Sequence, residues 1–224
     1  TPDGCRDGRW GRAKVDHFTA TQKGLSLGGT NGPQLNAVNA KVDIVTVGIG
    51  GNDVGFAGAA LDCVRFQPEG RGEPDCNKTF VKNGVDSLAQ KIVDMQRELG
   101  VALDHIHRLS PHAAVFVVSY PTAIPDNRVA CYPYLPIHQP DMTYLVRTFK
   151  KMNTAERAAA KAHDATYVDI YTPSIGHDAC KPPGLAWVNG AVLVPPSFPA
   201  HPNDLRFVHS APVVTNAIRA KLHL

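Results

Sequence analysis

No apolar run in the 224 residues approaches the roughly 18 that a membrane-spanning helix needs. Charge of one sign is also lacking. Lys and Arg number 23 against 20 Asp and Glu, a net charge of +3, too balanced for a polyanion partner such as nucleic acid. No basic stripe occurs, and Lys150-Lys151 is a local pair on a solvated helix face. The five cysteines contain no C-x2-C pair, which excludes the common zinc signatures. His105 and His107 are two apart on a helical stretch and do not share a face, so no metal site is expected there. The glycine-rich run 24–32 has neither the GxxxxGK pattern nor a strand ahead of a GxGxxG, which argues against a nucleotide cofactor. The first residues, Thr1-Pro2-Asp3-Gly4, are polar and carry no signal-peptide pattern, which a mature exported protein would already have shed.

What is present is a chain of one domain's length, 1–224, with 43% hydrophobic residues, enough for a continuous core. Residues 1–14 read as loop and Val15–Phe18 as a short strand. Residues 33–38 suit a short helix. Asp43–Ile49 is the strongest strand, β-branched and nearly all apolar, as a buried parallel strand should be. It ends in Gly50-Gly51-Asn52-Asp53, at the carboxyl end of the strand, where open α/β sheets bind ligands. Val81, Val85, Leu88, Ile92, Leu99, Leu103 and Ile106 follow helical spacing and predict one helix over 79–109, or two broken near Gly100. A second buried strand, 114–119, a helix over 141–164, a third strand, 167–170, a proline-rich loop over 171–204 and a last helix over 205–221 follow. This alternation predicts an α/β/α sandwich around a mostly parallel sheet. Two disulfides and one odd cysteine are the simplest reading of five cysteines; the other is five reduced thiols. Cys63 with Cys76 would close a polar loop, Cys131 with Cys180 would tie two later loops, and Cys5 is left over.

The run Asp43-Ile44-Val45-Thr46-Val47-Gly48-Ile49-Gly50-Gly51-Asn52-Asp53-Val54-Gly55-Phe56 resembles the third block of the SGNH (GDSL-type) hydrolases, in particular secreted actinobacterial esterases and lipases. Pro33–Val38, Trp187-Val188-Asn189-Gly190, Ser197-Phe198 and His201-Pro202-Asn203 are similar to the same family. The resemblance implies a flavodoxin-like three-layer fold, export from the cell and hydrolysis of carboxylic esters: lipids, aryl esters or acetylated glycans. It implies three disulfides in the secreted branch, Cys63–Cys76 and Cys131–Cys180 among them. It implies that the Asn52 amide and the Gly50 region serve the oxyanion hole and that His201 is the general base. Such chemistry needs a base near neutral pKa and donors aimed at the tetrahedral oxygen.

The chain departs from that pattern. Gly-Asp-Ser, the block that carries the nucleophile on the first strand, is absent. Cys5-Arg6 resembles the segment just after it, so the serine and its strand are expected ahead of Thr1, in a missing N-terminal segment. In the second block, Thr19 takes the place of the oxyanion glycine, and His17 that of the family partner of Cys5. Phe198 stands where the family has its acid, so the Phe198 backbone carbonyl or Asp204 is expected to orient His201. Ser26 and Thr30 read as turn residues and Ser119 as structural. Trp187 fits either a lid or a hydrophobic anchor. The alternative reading is a catalytically inactive relative that binds carbohydrate, lipid or protein through the same rim; a disulfide-stapled structural domain comes last.

Overall fold

The computed structural model describes residues 12–23, 29–66, 75–132, 135–190 and 201–224. In order, the elements are β1 (Ile44–Val47), α1 (Gly51–Val54), α2 (Phe56–Asp62), α3 (Asn77–Phe80), β2 (Val81–Lys82), β3 (Val85–Asp86), α4 (Ser87–Leu109), β4 (Ala114–Val118), α5 (Gln139–Ala162), β5 (Thr166–Val168) and α6 (Asp204–Leu222). Strands β1, β4 and β5 form a parallel sheet in the order β1-β4-β5, with Ile44 opposite Ala114 and Phe116 opposite Thr166. Helices α4 and α5 pack together on one face, and α6 lies on the other against β4 and β5. This is the expected α/β/α three-layer sandwich.

The two faces are covered unequally. Val45, Val47, Val115 and Val117 join the main core under α4 and α5. Phe116, Val168 and Ile170 are sealed by Val213, Val214, Ala217 and Ile218 of α6. α6 stops short of β1, so Ile44 is 39% exposed and Thr46 is exposed too. Among the described residues β1 pairs only with β4, which leaves its other edge without a ladder. Parallel strands are normally buried on both faces, and among the described residues this edge and face are the least covered part of the sheet.

Two stretches differ from expectation. Val15–Phe18 is a 3-10 turn, with Thr19 N–H donating to the Asp16 carbonyl. Residues 81–86 form a hairpin rather than the start of a helix, because Asn83 and Gly84 take positive φ (51° and 78°), the two-residue turn that suits a twisted ribbon. The long helix therefore starts at Ser87, capped by the Asp86 carboxylate, which accepts from Leu88 N and Ala89 N. It runs unbroken through Gly100, which is buried beneath the His163 ring. The His163 Nδ1 lies 2.8 Å from Asp104 Oδ1, tying the ends of α4 and α5.

Gly100→Ala is expected to lower stability by about 1–3 kcal/mol, because the added methyl would collide with that imidazole. In a His163→Ala background the same change should instead raise stability, by up to about 1 kcal/mol, through helix propensity. Thermal unfolding of the four proteins in this cycle checks the sign reversal.

Both expected disulfides are present, Cys63–Cys76 and Cys131–Cys180. Asp141, fully buried on α5, accepts from the N–H groups of Cys76 and Asn77 (2.9 and 3.0 Å) and fixes the first bridge to the helical layer. Cys5 lies outside the described residues. No described helix is long and apolar enough to cross a membrane.

Candidate active site

The loop after β1 is built by glycine. Gly50 has φ +118°, which other residues rarely adopt, and leads into the one-turn helix α1. Gly51 donates its N–H to the Tyr120 hydroxyl at 3.0 Å, and a Cβ there would meet the Tyr120 ring at 3.0 Å. Tyr120 N in turn donates to the Asn153 Oδ1 of α5 at 3.2 Å. The loop is thereby pinned to the ends of β4 and α5.

Asn52 is exposed at the second position of α1. Its Nδ2 donates one hydrogen to the Ala13 carbonyl at 2.9 Å, which fixes the amide plane and leaves a second N–H on the same nitrogen. The neighbouring Asp53 accepts from Val15 N at 2.9 Å. Residues 13–15 are thus strapped across the loop by two adjacent side chains. Burial pushes the Asp53 carboxyl up to about 6, outweighing the hydrogen bond from Val15 that holds it down.

His201 begins the last described segment and is exposed. Its carbonyl accepts from Asn189 N (3.0 Å), Asn203 N donates to the Trp187 carbonyl (2.9 Å), and Val188 bridges Pro202. The two motif fragments Trp187–Gly190 and His201–Asn203 therefore pair with each other. Asn203 also caps α6 and donates to the Ala186 carbonyl at 2.8 Å. Trp187 is 5% exposed and stacks against the rings of His177 (4.5 Å) and His209 (4.8 Å); it is an anchor beneath the His201 loop rather than a lid. Arg206, one turn into α6, acts electrostatically on Tyr120, which places the start of α6 at the same carboxyl edge of the sheet as the glycine loop. Asp204 opens α6, exposed, and makes no side-chain hydrogen bond or ion pair with the described residues. Phe198 and Ser26 lie outside the described residues.

All five described serine hydroxyls are engaged with backbone. Ser87, Ser110, Ser174 and Ser210 donate to the carbonyls of Phe80, Asn39, Tyr171 and Arg206, and Ser119 accepts from Ile170 N. Ser119 is 1% exposed, so its role is structural, as expected. Sequence reasoning missed the Ala13 carbonyl, Asp53, Tyr120 and Glu156. Only Glu156 left a trace there, as a charge on the apolar stripe of α5.

A family model, GDSL-like Lipase/Acylhydrolase, matches residues 7–205. The chain belongs to this family. Among the relatives of this GDSL-like chain, Lipase 2 of Streptomyces coelicolor is 34% identical over 200 residues, covering 87% of the chain and 64% of Lipase 2. An Esterase of Streptomyces scabiei is 26% identical over 222 residues, with the same shares. The chain thus spans 64% of the length of these relatives. The crystal structure of an extracellular lipase from Streptomyces rimosus superposes with a TM-score of 0.69 at 23% identity, over 92% of the GDSL-like chain and 77% of that lipase. Phospholipase A1 from Streptomyces albidoflavus gives 0.68 at 21% identity, over 82% and 72%. These two superpositions show the shared fold.

Proposed function

We propose that the chain is the larger part of a secreted serine ester hydrolase whose nucleophile is carried on a strand paired with the free edge of β1. One observation carries this reading: the Asn52 amide stands at the carboxyl end of β1, held by the Ala13 carbonyl with an N–H to spare, beside an edge that has no strand among the described residues. The engagement of every described serine supports a nucleophile outside them. The two disulfides suit an oxidising compartment.

In this mechanism the serine Oγ attacks the ester carbonyl while His201 takes its proton. Asn52 and the Gly50 region stabilise the tetrahedral oxyanion. Collapse expels the alcohol, which takes the proton from His201, and water repeats the sequence on the acyl-enzyme. The Phe198 carbonyl or Asp204 orients the imidazole. The substrate is a lipid, an aryl ester or an acetylated glycan, and the reaction calls for no cofactor.

A fluorophosphonate probe applied to the intact protein, followed by peptide mass mapping, tests the assignment. The expected label is on a serine outside residues 1–224. Labelling of Ser26 or Ser197 would move the nucleophile into this chain. Absence of any label on folded protein favours the inactive, rim-binding alternative.

A further inference from the structure

Glu156 sits on the buried stripe of α5 with Met152, Ala155, Ala159 and Ala160, and is 0% exposed. Neither carboxyl oxygen has a hydrogen-bond partner among the described residues. The side chain ends directly under the glycine loop: a Cβ on Gly50 would come within 3.4 Å of Oε1 and 3.0 Å of the Met95 Sδ. The titratable groups that face this spot are Tyr120, from the end of β4, and Tyr167, of β5, both of which feel Glu156. Asp53 of α1 and Arg206 of α6 act on Tyr120 from further out. Among the described residues no cation pairs with Glu156, and burial drives its carboxyl well above the ordinary value of 4.5.

An apolar side chain of similar volume would fill this space without the cost of burying an unpaired acid. The acid instead lies beneath the loop that, on the function proposed above, must stabilise a negative oxygen. A neutral carboxyl leaves that task unopposed. A carboxylate would set a fixed negative charge against the oxyanion in a low-dielectric interior, where the repulsion is large.

We propose that Glu156 is a positioning residue for the oxyanion loop: uncharged, it packs beneath the backbone at Gly50, and its ionisation disables the loop. This rests on the ester-hydrolase reading, and the tests separate the two. Catalysis is read first, as the pH profile of kcat on a short-chain aryl ester. Wild type should lose at least tenfold on the alkaline side, and Glu156→Gln, neutral at every pH, should extend activity into that range with KM unchanged. An identical alkaline limb in the two proteins overturns the proposal.

Protonation is then read without catalysis. Infra-red difference spectra at neutral pH should contain a protonated-carboxyl carbonyl band that Glu156→Gln lacks; its absence from wild type overturns the proposal even in an active enzyme. The linkage has a definite sign. The folded chain keeps a proton that the unfolded chain releases above 4.5, so stability falls as pH rises through the window above that value. The ratio of wild-type to Glu156→Gln unfolding constants should therefore grow about tenfold per pH unit there, and a flat ratio overturns the proposal. Should the protein prove inactive, amide exchange at Gly51 decides: loss of protection at alkaline pH in wild type but not in Glu156→Gln supports the proposal, and equal behaviour overturns it.

Discussion

Asn52→Ala is expected to lower kcat about 100–1000-fold on a short-chain aryl ester, with KM little changed. In the proposed mechanism the amide is aimed before substrate arrives, because one of its hydrogens is held by the Ala13 carbonyl. A preorganised donor contributes most to the transition state, where charge appears on the oxygen, and little to ground-state binding. The bond to Ala13 is itself worth about 1 kcal/mol net, so thermal unfolding of the variant should move only a few degrees. Asn52→Asp discriminates further, since a carboxylate cannot donate and would repel the oxyanion. Steady-state kinetics beside a melting curve separates the two roles. A variant with wild-type kcat would remove Asn52 from the mechanism.

Removing Cys131–Cys180 by a double Cys→Ala change is expected to cost about 4 kcal/mol, and removing Cys63–Cys76 about 3 kcal/mol. The difference follows from loop length, since the bridges join residues 49 and 13 apart. For a domain of this size the first loss corresponds to roughly 8–16 °C in Tm. The bridges lie at the carboxyl edge of the sheet. Cys131–Cys180 ties the loop after β4 to the loop after β5, where the Ala179 N–H also donates to the Ala123 carbonyl at 3.1 Å. With both bridges gone the summed loss falls within the whole stability of an ordinary domain. Calorimetry with and without reductant checks this; a Tm that does not respond to reductant would show that neither bridge constrains the unfolded chain.

The layered fold was legible because its strands are short apolar runs and its helices carry apolar residues three and four apart. The hairpin at 81–86 was not, because Val81, Val85 and Leu88 also satisfy helical spacing; the turn pair Asn83-Gly84 was the better signal, and its positive φ values decided the outcome. Val15–Phe18 was too short for its composition to tell a strand from a 3-10 turn. At the site, Gly50 and Asn52 stood out because glycine at a strand end and a following amide make a recognisable pattern. The Ala13 carbonyl could not stand out, since every residue has one and only the fold brings this one to Asn52. Glu156 was visible only as a charge on the apolar stripe of the helix, and nothing in the sequence placed it under Gly50. Trp187 became an anchor only once its histidine neighbours were located.

The main sheet contains no hairpin. Ile44 must find Ala114, 70 positions along the chain, and Phe116 must find Thr166, 50 positions along. Pairings of such separation form only after a large loss of chain entropy, so they come late in folding and slow it. Helix α4 and the 81–86 hairpin, built from neighbours in sequence, can form before the sheet closes. The β1–β4 pairing that sets the glycine loop in place is thus among the contacts of highest sequence separation, and the edge proposed above as catalytic is expected to be among the last parts of the molecule to acquire its shape.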